Sequence, residues 1–333
     1  MPQKISLTGI KPTGAPHWGN YFGAIKPALE LAEAPECEAY YFIADYHALT
    51  GVFDPEALRT SIHEVACSWI AMGLKTDQIA LYKQSDIPEI LELNWILACS
   101  ASKGLLNRAH AYKALRDQNL AANHDADFKV SMGVFNYPVL MAADILFINA
   151  DIVPVGEDQL QHIEIARDIA QVFNSRYKEV LKLPQAFVQK NKPTIPGLDQ
   201  RKMSKSYNNH IPLFINEKKL RKTIMRIKTD SSAPNEPKNP DTCGIFTLYK
   251  LFADQDQLAS LRASYFKGIG WGDAKQILFE AANSFLAEPR AHYEELMHEP
   301  SKIDRILAEG RDKVRPRAIE TLRKVKSAVG LAP

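Results

Sequence analysis

Only four cysteines occur in 333 residues, Cys37, Cys67, Cys99 and Cys243, and they are too widely spaced to form a CxxC pair. A disulfide framework or a cysteine metal centre is therefore not expected, and reduced thiols in the cytoplasm fit better. Long hydrophobic runs are missing as well. The greasiest stretch, near Leu140, is broken by Pro138 and Asp144, so no segment reaches the roughly 20 apolar residues that span a bilayer and no membrane partner is expected. The opening Met1-Pro2-Gln3-Lys4-Ile5-Ser6-Leu7 has no signal-peptide pattern. An excess of one charge is absent too: 41 Lys and Arg balance 39 Asp and Glu, for a net +2. A nucleic-acid partner would have to be met by a local patch rather than by the total. The chain has no internal repeat and no low-complexity tract.

What is present is a globular composition, 46% hydrophobic, in a length that suits two domains. Short β-rich runs at 5–10, 39–45, 79–83 and 151–155 alternate with longer helical patterns. In the window 55–72, Leu58, Ile62, Val65, Trp69 and Ile70 recur at helical spacing. The alternation predicts an α/β fold, a doubly wound, Rossmann-like parallel sheet with helices on both faces. Ligands of such sheets bind beyond the carboxyl ends of the strands, which would gather Gly9, Asp45 and Gly156 about one crevice. After Pro184 the chain turns polar over 189–209 and again over 229–242, and beyond that it reads as almost wholly helical. We therefore expect a first domain over 1–210 that includes the loop at 202–206, and an α-helical C-terminal domain over 211–333, its last helix packing back on the first. Segment 217–228 puts Leu220, Ile224 and Ile227 on one face and cations on the other. The tail from Lys302 to Lys326 holds nine Lys/Arg against four Asp/Glu. Both segments read either as solvated faces or as contacts for a phosphate backbone.

Chemistry concentrates in four places. Lys202-Met203-Ser204-Lys205-Ser206 lies in a Gly-, Pro- and Lys-rich stretch; two lysines and two serines on a short loop suit a triphosphate whose leaving group gains charge. Thr8–Asn20 runs from a strand into a helix through Gly9, Gly14 and Gly19, which let a backbone approach a ligand closely. There the helix start would offer free N–H groups to phosphate, and His17 would donate without committing a full charge. Pro27 should kink that helix. Asp151-Ile152-Val153-Pro154-Val155-Gly156-Glu157-Asp158-Gln159 is a strand, a glycine turn and two carboxylates, suited to a ribose diol or an ammonium. Last, Asp144 sits among apolar residues, where an unpaired carboxylate would cost several kcal/mol. Its donor is either a ligand N–H or a group of the protein itself.

Together these segments resemble the tryptophanyl-tRNA synthetases, class I enzymes close to the tyrosyl ones. Pro12–Asn20, ending His17-Trp18-Gly19-Asn20, is similar to the family's HIGH signature, and Lys202–Ser206 matches KMSKS letter for letter. Met141-Ala142-Ala143-Asp144-Ile145-Leu146, followed by 153–159, is the most family-specific part, and Asp45-Tyr46-His47-Ala48-Leu49-Thr50 also fits. The resemblance implies adenylation of L-tryptophan by ATP with Mg²⁺, then transfer to tRNA(Trp), in a cytoplasmic homodimer with no resident metal. It implies that the first domain is the catalytic one and that the helical C-terminal domain reads the unstacked bases of the anticodon. It implies catalytic roles for His17, Lys202 and Lys205. ATP contacts would come from Lys11, Pro12, Thr13, Gly19, Asn20, Gly156, Glu157, Asp158, Ile195, Lys202, Met203, Ser204, Lys205 and Ser206. Tryptophan would meet Asp144, on its indole nitrogen, with Met141, Gln159, Gly9 and His47. Lys11 stands where many members carry Gln, so an added cation would take over part of a metal ion's role. Lys113 is a further phosphate candidate. With only Cys243 in the C-terminal region, no iron–sulfur cluster is expected.

Three rival readings share the signatures: a tyrosyl enzyme, a small-molecule adenylyltransferase that uses no tRNA, and a non-catalytic nucleic-acid-binding relative. Asp144 alone does not separate indole from phenol, since it accepts from either; the Met141–Leu146 block favours tryptophan.

Overall fold

The computed structural model describes residues 3–156, 159–188 and 194–331. Among them five strands form one parallel sheet: β1 (Lys4–Ile10), β2 (Cys37–Ile43), β3 (Ala80–Lys83), β4 (Ile152–Val155) and β5 (Gln185–Val188), in the order β3-β2-β1-β4-β5. β1 lies between β2 and β4, so successive strands leave it in opposite directions, and the crevice between β1 and β4 is the switch point of a doubly wound sheet. The four expected strands form. β2 stops at Ile43, two residues short of the expected end, because Asp45 opens a short helix, Asp45–Ala48. β5 was not expected: Gln185-Ala186-Phe187-Val188 is an exposed edge strand with neither an apolar run nor clean alternation.

Adjacent residues of β2 face opposite cores, as the pleat requires. Tyr41 stacks on Trp69 at 4.6 Å on one side, and Phe42 stacks on Tyr82 at 5.9 Å on the other. The first core joins the helix Pro55–Ala71 to the C-terminal helices Gly244–Tyr249, Gln255–Lys267 and Trp271–Met297. The second joins Glu89–Ala98, Met132–Leu146 and Leu160–Arg176 to the last helix, Pro300–Ala328. Pro27 sits in an unbroken helical run, Trp18–Ala32, whose regular pitch is interrupted just before it by a π turn at Tyr21–Ile25; a proline there cannot supply the N–H that a regular α-helix would use.

The last helix packs back on the sheet, as expected, and its basic face finds partners in the chain itself. The helix Pro300–Ala328 lies along β3 so closely that a Cβ on Gly310 would stand 1.9 Å from the Leu81 carbonyl oxygen. Its cations meet this chain: Arg317 pairs with Glu38 at 2.8 Å, Arg315 with Glu89 at 2.9 Å and Lys326 with Glu92 at 3.1 Å. Lys313 donates to the Thr76 and Asp77 carbonyls. Pairs this exposed add about 0–1 kcal/mol each; burial of Ile303, Leu307, Val314 and Val325 carries the docking. The helix Glu217–Met225 follows the expected pattern, with Leu220 and Ile224 buried and Lys218, Lys219, Arg221 and Lys222 outward. It ends earlier than expected, because Lys228 N–H turns to the Leu198 carbonyl.

Candidate active site

The chain leaves β1 at Ile10 and reaches a helix start at His17. His17 and Asn20 cap that start reciprocally: Asn20 N–H donates to His17 Nδ1 at 3.2 Å, and His17 N–H donates to Asn20 Oδ1 at 3.1 Å. With Nδ1 accepting, the ring proton sits on Nε2, which becomes a donor. Burial first, then the nearby His210 and Lys205, lowers the His17 pKa to about 4, so the ring is neutral at pH 7. The side chain of Asn20, a nucleotide candidate, is thus engaged in the cap.

The lysine-serine loop is a tight hairpin built around Asn209, which is 2% exposed. Asn209 Oδ1 accepts Ser204 N–H at 2.8 Å, and its Nδ2 donates to Asp199 Oδ1 at 2.6 Å and to the Lys202 carbonyl at 3.2 Å. Those donors, Asn209 first and then Arg201, lower the Asp199 pKa to about 2. Gly197 leaves room for the amide, since a Cβ there would come within 2.4 Å of it. Ile195 contributes its carbonyl, which accepts Met203 N–H at 2.9 Å. Met203 is buried and its sulfur accepts Gly19 N–H at 3.3 Å. Both residues are nucleotide candidates; the Met203 side chain ties the hairpin to the first loop, and the Ile195 backbone closes the hairpin itself. Lys205 Nζ donates to the Thr13 carbonyl at 2.9 Å. Burial lowers the Lys205 pKa against the opposing charge of Glu64. Ser204 Oγ accepts Ser206 N–H, and Lys202 and Ser206 are exposed. His17, Lys205 and the hairpin therefore meet at one place, as the sequence suggested.

Beside this junction, beyond the carboxyl ends of β1, β2 and β4, opens a cavity of about 590 Å³. Gly9, Lys11, His47, Met141, Asp144, Gly156 and Gln159 all line it. Gly9 is required by packing, because a Cβ there would fall 2.4 Å from the Phe42 ring. Asp144, in the last turn of Met132–Leu146, is 1% exposed. Its donors within the protein are His47, with Nε2 at 3.0 Å from Oδ2, and Gln84, whose Nε2 lies 2.8 Å from both carboxylate oxygens. Burial raises the Asp144 pKa, and the bonds from His47 and Gln84 oppose it. Sequence reasoning missed Gln84. Its position just after β3 was the available signal, by the same strand-end rule that singled out Gly9.

At the rim, Lys11 Nζ donates to Thr50 Oγ1 at 2.8 Å, and Thr50 Oγ1 donates to the His47 carbonyl at 2.8 Å. Partial burial lowers the Lys11 pKa. Glu157 and Asp158 lie outside the described residues. Lys113 is exposed on the helix His110–Ala121 and does not line the cavity. The arrangement offers a largely apolar cavity lined by the buried acceptor Asp144, the buried hydroxyl of Thr8 and a cation, Lys11, with a junction of neutral histidine and lysines beside it. It can hold a flat ring with one N–H next to an anion.

Comparison with known proteins agrees in kind. The profile of the family described as tRNA synthetases class I (W and Y) matches residues 3–287. A tryptophan–tRNA ligase of Pseudomonas putida is 51% identical over 328 residues, covering 98% of this chain and 73% of that protein. One of Neisseria meningitidis is 48% identical over 334 residues, covering 100% of this chain and 99% of that protein. A solved structure of Campylobacter jejuni tryptophanyl-tRNA synthetase, complexed with ADP and tryptophan, superposes with a TM-score of 0.90 at 42% identity, over 98% of this chain and 100% of the other.

Proposed function

The chain belongs to the class I tRNA synthetases of the tryptophan and tyrosine group, and from that membership we infer that it joins L-tryptophan to tRNA(Trp) in an ATP-driven ligation. The observation that carries the choice of amino acid is the near-full-length likeness to tryptophan ligases; Asp144, a buried carboxylate lining a largely apolar cavity, supplies the acceptor that an indole N–H needs. Ionised, it only accepts, and indole N–H only donates. A phenol would bring an oxygen that also needs a donor. Membership in the group leaves tyrosine as the rival, and the near-full-length likeness to tryptophan ligases favours tryptophan.

In the first step one carboxylate oxygen of tryptophan attacks the α-phosphorus of ATP, the bond to the β-phosphate oxygen breaks, and pyrophosphate leaves. The attacking group is already ionised, so no base is needed and catalysis is positioning with charge stabilisation. In this reading neutral His17 donates from Nε2 to a phosphate oxygen, and Lys202, Lys205, Ser204 and Ser206 hold the departing pyrophosphate. The backbone of Pro12, Thr13, Gly19 and Gly156 borders the nucleotide. Met141, Gln159, Gly9 and His47 border the amino acid. In the second step a ribose hydroxyl at the 3′ end of the tRNA attacks the adenylate carbonyl and AMP leaves.

No group of three or more His, Cys, Asp or Glu among the described residues is placed to hold a metal ion. Mg²⁺ therefore enters this proposal as part of the substrate, carried by the triphosphate. Lys11 at the rim would supply part of the same positive charge. Lys11→Gln should need more Mg²⁺ for half-maximal rate, and an unchanged requirement would count against that role. No helix of the described residues is long and apolar enough to cross a membrane. A cytoplasmic homodimer, with the division between domains near residue 210, is proposed on the family resemblance; light scattering in solution tests the dimer.

Tryptophan-dependent ATP–pyrophosphate exchange, run beside tyrosine, tests the whole assignment. Exchange should occur with tryptophan, and Asp144→Ala should raise KM for tryptophan by about 100-fold or more while KM for ATP stays close to normal. Exchange with tyrosine alone would overturn the specificity.

A further inference from the structure

Gln84 is fully buried at the start of the turn that follows β3, 60 positions before Asp144 in the chain. Its two amide faces are committed differently. Oε1 accepts the backbone N–H of His47 at 3.4 Å, and Nε2 lies 2.8 Å from each oxygen of Asp144. The opposite orientation would set a carbonyl oxygen against a carboxylate and an NH₂ against an N–H, so the network permits one orientation only. A carboxylate has about four acceptor sites. Gln84 takes one on each oxygen and His47 one more on Oδ2, which leaves the free site on Oδ1 for a ligand.

We propose that Gln84 is a positioning residue for amino-acid selection: by donating to both oxygens of Asp144 it fixes which acceptor site of that carboxylate is left to the ligand, so that the cavity selects a ring with an N–H donor. The inference rests on the reading of Asp144 as the tryptophan acceptor and extends it to a residue that itself does not line the cavity. The groups facing Asp144 are consistent with it. His47 reaches it from the turn Asp45–Ala48, and Asp45 adds an opposing negative charge. Tyr82 of β3 lies near with a buried hydroxyl that has no hydrogen-bond partner among the described residues. Lys11 and the Tyr137–His162 pair, 3.2 Å between oxygen and Nε2, also line the cavity, and the Tyr137 ring meets His47 at 6.2 Å. Without Gln84, His47 alone would oppose the burial and the Asp45 charge that raise the Asp144 pKa, and the acid would take up a proton more readily. A protonated acid both donates and accepts and no longer selects a donor.

The test is pyrophosphate exchange by the full-length protein across pH 6–9, with tryptophan and with benzothienylalanine, an isostere lacking the ring N–H. In Gln84→Met, KM for tryptophan should rise about tenfold at pH 7 with KM for ATP unchanged, and preference for tryptophan over the isostere should fall about tenfold. Tryptophan affinity, which needs the ionised acid, is lost as pH falls through the Asp144 pKa; in the variant that loss should begin at higher pH. Gln84→Glu carries the same test should Gln84→Met not fold. It should be worse than wild type at pH 8 and recover towards pH 6, where the shared proton lets the new acid donate. An unchanged pH profile and an unchanged isostere preference in either variant overturn the proposal. Asp144→Asn separates the two levels: if it keeps wild-type tryptophan affinity, the reading of Asp144 itself fails. If it loses affinity while the Gln84 variants behave as wild type, only the role of Gln84 fails.

Discussion

Lys205 reaches across 192 positions of the chain to donate from Nζ to the Thr13 carbonyl at 2.9 Å, and so couples the two signature loops without any ligand. The contact is one that an incoming phosphate can replace, since an ammonium prefers a charged oxygen to a neutral carbonyl. Lys205→Met should lower kcat for pyrophosphate exchange by about 100-fold, with KM for tryptophan nearly unchanged. A kcat close to wild type would remove Lys205 from the chemistry and leave it as a tether.

His17 should stay neutral throughout the physiological range. Its folded pKa, about 4, lies below the ordinary 6.5, so between those values the unfolded chain binds a proton that the folded one refuses. Stability from this site is therefore intact above pH 6.5 and is lost as pH falls towards 4. Thermal melts of wild type and His17→Asn should converge as pH drops through that window. The imidazole resonances of His17 should not titrate near pH 6.5; a transition there would contradict the buried, neutral ring.

Asn209 ties Asp199, Lys202 and Ser204 of one hairpin together through a single side chain. Asn209→Ala leaves Ser204 N–H and the Lys202 carbonyl without their side-chain partner and should cost about 1–3 kcal/mol of stability. Because the loop then loses its shape, KM for ATP should rise while KM for tryptophan does not. Equal changes in both constants would show that the hairpin and the tryptophan cavity are not separable.

The local signals were legible because each is a short stretch whose chemistry and backbone demands sit side by side. Gly9 marked a strand end and Gly19 a helix start, and the lysine-serine loop stood out as a short basic turn, from the sequence alone. The parallel sheet followed from four apolar runs alternating with helical periodicity. β5 escaped because an exposed edge strand needs no apolar pattern, and the early end of β2 reflects a hydrogen bond from Ser85 N–H to Asp45. The partners of the basic tail were out of reach for a related reason. Sequence records the charge of Arg315, Arg317 and Lys326 but not the acids they face, which come from segments more than two hundred positions earlier.

By itself the sequence determined the kind of sheet, the position of its crevice and the identity of the groups suited to phosphate, because turn, cap and periodicity are properties of neighbouring residues. The tertiary structure alone decided what Asp144 accepts from and what Asn209 holds. It also turned Ile195 and Met203 inward while Lys11 stayed at the rim. Those outcomes depend on which distant backbones come within hydrogen-bonding range, and a buried polar atom takes its partner from whatever the fold brings within about 3 Å of it.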